Sequence, residues 1–106
     1  MRVDWSPQAL GDLADAVLWY DEQCPGRGAD LLALIGSSLE ILREYPRAHP
    51  VVVGRSRRWP LVRYPFSLFY RLEPERIVVL ALFHQSRHPR RWSGRVNEPL
   101  PGYVAA

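Results

Sequence analysis

Apolar residues recur at helical spacing in the first half of the chain and at strand spacing in the second. Leu10, Leu13, Val17 and Tyr20 stand three, four and three apart, while Asp12, Asp15 and Glu22 fall largely on the other side. Ser6-Pro7 supplies an N-cap followed by proline at the first helical position, which predicts a helix from about Pro7 to Gln23. Cys24-Pro25-Gly26 ends it. Leu32, Ile35, Leu39 and Leu42 repeat the same spacing and predict a second helix from near Arg27 to about Tyr45, stopped by Pro46. So short a connection folds the two helices back as an antiparallel hairpin, whose shared apolar face needs a cover. Ahead of them, Arg2-Val3-Asp4-Trp5 alternates like a short strand.

After a loop through His49-Pro50 and Gly54, strands are predicted near Arg57–Arg63, Phe66–Leu72 and Arg76–His84, cut by Pro65 and by Glu73-Pro74-Glu75. The middle strand puts Phe66, Leu68, Tyr70 and Leu72 on one face and Ser67, Phe69 and Arg71 on the other. In the last, Ile77, Val79, Ala81 and Phe83 alternate with Val78, Leu80 and Leu82, so both faces are apolar. Helices can cover only one face of a small sheet. The second face calls for a bound partner chain or for the chain's own C-terminal segment. The expected fold is α+β, an N-terminal helical hairpin packed on a small antiparallel β-sheet. One domain spans residues 1–94, and 95–106 reads as an extended or flexible tail.

Charge changes this picture. The net +3 divides into −4 over residues 1–53 and +7 over residues 54–106. All 14 cations are arginine. Without lysine no amine serves as general base, Schiff-base nucleophile or phosphate point charge, so any anion contact is made by guanidinium. The single Cys24 excludes an internal disulfide and a multi-cysteine metal site, as in a reducing compartment. No signal peptide shows at the start. The longest apolar run, Ile77–Phe83, is too short to span a bilayer, so a soluble cytoplasmic protein without membrane contact is expected.

The basic surplus peaks where the last strand breaks into His84-Gln85-Ser86-Arg87-His88-Pro89-Arg90-Arg91-Trp92, a rim suited to an anionic or acidic partner. His84 and His88 stand four apart, but a strand end running into proline with no third ligand makes a poor metal site, and His84 is expected to cap the strand through the backbone. No cofactor or metal is expected. Arg57, Arg58 and Arg63 fit either target contact or a solvated edge that discourages strand pairing. Trp19, Trp59 and Trp92 are candidate interface anchors, with Trp59 the one expected to be exposed.

The order of these segments carries a resemblance. VDWSPQALGDLADAVLWY at 3–20, ILREYPRAHP at 41–50, RRWPLVRYPFSLFYRL at 57–72 and IVVLALFHQSRHPRRW at 77–92 resemble the RelE/ParE superfamily of bacterial toxin–antitoxin toxins, most closely its ParE branch. The resemblance implies a cognate antitoxin whose C-terminal segment folds on the toxin, and operator DNA reached only through that antitoxin. It implies DNA gyrase as target for ParE-like members and ribosome-dependent mRNA cleavage for RelE-like ones. RelE-like nucleases use lysines and arginines around the sheet and a late aromatic hydroxyl. Here lysine is absent, Ser67 stands at their strand arginine, and the late aromatic is Trp92. A nuclease would improvise with His84 or His88 as base and Arg87 on phosphate. The gyrase inhibitor is therefore favoured over an enzyme, with Arg58, Arg63, Arg87, Arg90, Arg91 and Trp92 as target-binding residues. Trp59, Val78, Leu80 and Leu82 are the antitoxin-binding candidates, with the antitoxin's acidic groups near Arg57, Arg58 or Arg87. A generic nucleic-acid-binding module and a non-toxic scaffold or corepressor of this fold stay open as alternatives.

Overall fold

Ser6 starts the first helix as its residue type predicts. In the computed structural model, which describes residues 1–86, Arg95 and the backbone of Val104–Ala105, the Ser6 hydroxyl accepts from the Ala9 N–H at 3.0 Å. Helix α1 follows over Pro7–Gln23 and α2 over Arg27–Glu44. Between them Gly26 sits at φ 93°, a conformation that side-chain-bearing residues rarely adopt, and this lets the short link reverse the chain. The second helix is capped by the first: Gly28 N–H donates to the Asp21 carboxylate at 2.8 Å.

Gly28 also sets the rotation of α2, because its missing side chain lets the helix lie against Val17 and Asp21 of α1. The buried face is then Gly28, Leu31, Ile35, Ser38, Leu39 and Leu42. Leu31 occupies the place expected of Leu32, which is exposed. Either leucine completes an apolar stripe, and the close approach at Gly28 decides between them. On α1 the deepest residues are Ala9, Ala16 and Tyr20, with Leu10, Leu13 and Val17 packed around them.

The strands are β1 Arg2–Trp5, β2 Val51–Val53, β3 Ser56–Pro60, β4 Phe66–Glu73, β5 Arg76–His84 and β6 Val104–Ala105. They form one sheet in the order β2-β3-β4-β5-β1-β6. The β3–β4–β5 meander is antiparallel, but β1 lies parallel to β5, so the sheet is mixed. Nothing in a local apolar pattern distinguishes a parallel neighbour that arrives by crossover. Asp4 staples this pairing: its buried carboxylate accepts from Arg76 and Arg2, both at 3.1 Å. Val51–Val53, read as loop, is an edge strand turned around Gly54. The strand expected to reach Arg63 stops at Pro60, and 61–65 form a loop. Of the segment read as a tail, Val104–Ala105 pair with Asp4–Trp5. Apart from these two and Arg95, that segment lies outside the described residues.

Strand β5 carries a bulge. Tyr70 stands opposite Val79 and Phe69 opposite Ala81, leaving Leu80 as the extra residue. One extra residue reverses the alternation beyond it. Ile77, Val79 and Leu82 therefore join the helix-side core, whereas Val78, Leu80, Ala81 and Phe83 join Phe69 on the opposite face. The expected split, odd against even positions through Phe83, fails from Ala81 onward. Those five outer side chains are 0–2% exposed in the single chain, with Val53 packed against them. This face is thus already buried within the single chain.

Candidate functional site

Strand β1 ends opposite Val79, yet β5 continues to His84, which leaves backbone groups on that edge without a strand partner. Helix α1 supplies them. Ser6 N–H donates to the Val79 carbonyl at 3.0 Å and the Ser6 hydroxyl to the Leu80 carbonyl at 3.2 Å. The Asp12 carboxylate accepts from Leu82 N–H at 3.0 Å. Asp12 was expected on the solvent side of its helix, but it turns to the sheet because a buried N–H without an acceptor costs on the order of 1–3 kcal/mol. The same carboxylate takes Arg95 at 3.0 Å, and the Arg95 guanidinium lies 5.1 Å from the Phe83 ring centroid. Arg95 is thus clamped between an acid and a ring at the rim of the outer face. A carboxylate inside an apolar stretch was the sequence signal for this junction, and periodicity alone hid it.

His84 closes the end of β5. Its Nδ1 accepts from Ser86 N–H at 3.1 Å and lies 2.7 Å from the Ser86 hydroxyl, and its ring stands edge-on to Phe66. This is the backbone cap expected of it, and it occupies one ring nitrogen of the candidate base. Arg87, His88, Arg90, Arg91 and Trp92 lie outside the described residues. Among the described residues no group of three or more His, Cys, Asp and Glu could hold a metal ion.

The remaining candidates divide between two faces. Arg58 belongs to the outer face, where its Nε donates to the hydroxyl of buried Ser67 at 3.1 Å. Val78 and Leu80 lie on that face too. Trp59 and Leu82 do not: both belong to the helix-side core, so the four antitoxin candidates form no common surface. Trp59, expected to be exposed, is half-buried against the His49 ring with centroids 4.4 Å apart, and among the described residues the exposed tryptophan is Trp19. Arg57 reaches the His49 carbonyl at 2.7 Å. Burial, then the Arg57 charge, lowers the His49 pKa. Tyr70 is fully buried and donates to the Pro46 carbonyl at 3.1 Å, and burial raises its pKa.

Arg63 stands apart from Arg58. It lies in the loop after β3 at φ 71°, the one non-glycine residue at positive φ among the described residues. With Tyr64 it faces Arg27, Asp30, Ala33, Leu34 and Ser37 of α2 across an open groove of about 490 Å³. The Arg27 guanidinium lies 5.9 Å from the Tyr64 ring centroid, and Tyr64 meets Tyr20 edge to face. The Tyr20 pKa is raised by burial first and Tyr64 second, with Arg27 opposing. Sequence reading missed this groove because Arg27 served only as a helix start, and Arg63, a target-binding candidate, was placed on a strand beside Arg58 rather than in a loop facing α2.

A family model described as the ParE toxin of the type II toxin–antitoxin system parDE matches residues 3–89, which takes in β1 from Val3, α1, α2 and β2 through β5. The chain belongs to this ParE toxin family. Its membership implies an antitoxin protein as partner. The match ends before Arg90, so Arg90, Arg91 and Trp92 fall beyond it. Among solved structures, the chain is similar in fold to one from the chromosomal ParDE toxin–antitoxin system of P. aeruginosa. That similarity has a TM-score of 0.71 at 23% identity and covers 79% of this chain and 95% of the other. No curated protein matches the sequence. Among the described residues, no helix of this ParE toxin is long and apolar enough to cross a membrane.

Proposed function

We propose that this ParE-family toxin arrests growth by inhibiting DNA gyrase in the cytoplasm, and that a cognate antitoxin neutralises it. The observation that carries the choice of target is Ser67. At the position where RelE nucleases carry a strand arginine, its hydroxyl is buried and accepts from Arg58, so it brings no cation to a scissile phosphate. The engaged Nδ1 of His84 and the absence of lysine weigh the same way. Holding a large protein–DNA assembly requires a surface rather than an acid, a base and an electrophile in register. Arg58 with the rim Arg87, Arg90, Arg91 and Trp92 is the surface proposed, because guanidinium binds carboxylate and phosphate bidentately and stacks on rings.

The test is plasmid supercoiling by purified gyrase with wild-type protein, Arg87→Ala and Trp92→Ala, alongside thermal unfolding. The wild type should inhibit, and each variant should lose about 1–3 kcal/mol of target binding with an unchanged Tm. Intact supercoiling together with cleavage of ribosome-bound mRNA would replace gyrase by the ribosome. Absence of any growth defect on induction would leave a scaffold or corepressor.

A further inference from the structure

We infer that the groove between α2 and the loop after β3 is where the neutralising partner docks an acidic, partly apolar peptide segment, its carboxylate held between Arg27 and Arg63. This rests on the antitoxin reading and gives it a place on the molecule. Three observations support it. Neither Arg27 nor Arg63 has a carboxylate within ion-pair distance among the described residues, although six other arginines do. Arg63 is held in the left-handed region, a conformation that costs a non-glycine residue stability and persists where the surroundings make use of it. Beside the two cations the groove presents Leu34, with Val62 exposed next to Arg63, so apolar area and positive charge lie together.

Charge also selects the class of occupant. Asp30 lines the same groove, and Asp21, Glu40 and Glu44 lie on the surrounding hairpin. A continuous polyanion such as duplex DNA meets repulsion there. A peptide with one or two carboxylates among apolar residues does not, and its backbone N–H groups can face Asp30.

Two variants separate binding from folding. Arg63→Gly removes the guanidinium but relieves the backbone, and Arg27→Glu places an acid in the first turn of α2, where the helix dipole favours it. Both should unfold at or above the wild-type temperature. The full chain and each variant are titrated with the purified product of the adjacent open reading frame and, separately, with a short DNA duplex. Each variant should bind the neighbour's product roughly tenfold or more weakly. Reversing one acidic side chain of that partner to arginine should restore affinity for Arg27→Glu. Wild-type affinity in both variants would overturn the groove while leaving the antitoxin reading intact. Loss of affinity for DNA but not for the protein would overturn it in favour of nucleic acid. If the wild-type chain does not bind its neighbour's product, the groove and the antitoxin reading fall together.

Discussion

Replacing Gly28 by alanine sets helix propensity against helix packing at one position. A Cβ there would stand 2.7 Å from the Val17 carbonyl oxygen, 2.8 Å from Val17 Cγ1 and 2.9 Å from Asp21 Cγ. The first of these atoms is backbone, so no rotamer change relieves it and the hairpin itself must open. Overpacking of this kind costs about 1–3 kcal/mol. The Gly28–Asp21 hydrogen bond that caps α2 is strained by the same movement, which adds up to about 1 kcal/mol. Alanine's better helix propensity offsets about 1 kcal/mol. The net loss is up to about 3 kcal/mol, a fall in Tm of up to roughly 20 °C for a domain of this size. Gly11 and Gly36 provide the controls, since both are helical and a Cβ at either meets nothing within 4 Å. Gly11→Ala and Gly36→Ala should each gain up to about 1 kcal/mol. Urea and thermal unfolding of the purified proteins measure all three. A Gly28→Ala protein as stable as Gly36→Ala would refute the close-approach account of the hairpin.

Asp12→Ala should cost about 2–4 kcal/mol, because it strips the acceptor from Leu82 N–H and the carboxylate from Arg95 together. Asp12→Asn keeps an acceptor and should cost clearly less in urea unfolding, and equal losses would sink the backbone role. His49 predicts a pH dependence. Its pKa is lowered from 6.5 by burial and Arg57, so the unfolded chain takes up the proton first. The stability it contributes is full above about pH 6.5 and is lost as pH falls through the lower folded value. His49→Gln should flatten the acid limb of the stability–pH curve, and an unchanged slope would exclude His49 as its source.

Both helices were legible because their ends are written in residues with a local mechanism. Ser6-Pro7 caps and starts α1, Gly26 turns the chain, and Pro46 follows α2. What escaped depends on contacts between distant segments. The choice of Leu31 over Leu32 turns on where Gly28 meets α1, the parallel place of β1 on a crossover, and the Leu80 bulge on how β5 is gripped by Ser6 and Asp12. A run of seven apolar residues looks the same with or without a bulge, so Leu82 was assigned to the wrong face. The surfaces fared likewise. Arg58 and Arg63 are close in sequence, yet one lies on the outer face and the other at the helix-side groove, because the strand ends between them at Pro60.

That division bears on how a ParE-family toxin of this shape would be neutralised. A doubly apolar strand suggested a face covered by a partner or by the chain's own C-terminal segment, and Phe69, Val78, Leu80, Ala81 and Phe83 are already buried in the single chain. The four larger side chains among them represent roughly 6–12 kcal/mol of burial at about 1.5–3 kcal/mol each. A partner segment seeking this face must first expose them, part Arg95 from Asp12 and then bury the same side chains again. The exchange gains little beyond what the chain already has, and its opening step is slow. The helix side asks for no such exchange. Its groove is open, its two arginines lack carboxylate partners among the described residues, and Leu34 lines it with Val62 exposed beside Arg63, without any prior unmasking. First contact by an antitoxin segment is therefore expected at α2 and the Arg63 loop. Any engagement of the outer face should follow as a second, slower phase that Asp12→Asn, by loosening Arg95, would accelerate. Stopped-flow mixing with the antitoxin would resolve the two phases, and a single phase insensitive to Asp12→Asn would show that the outer face takes no part.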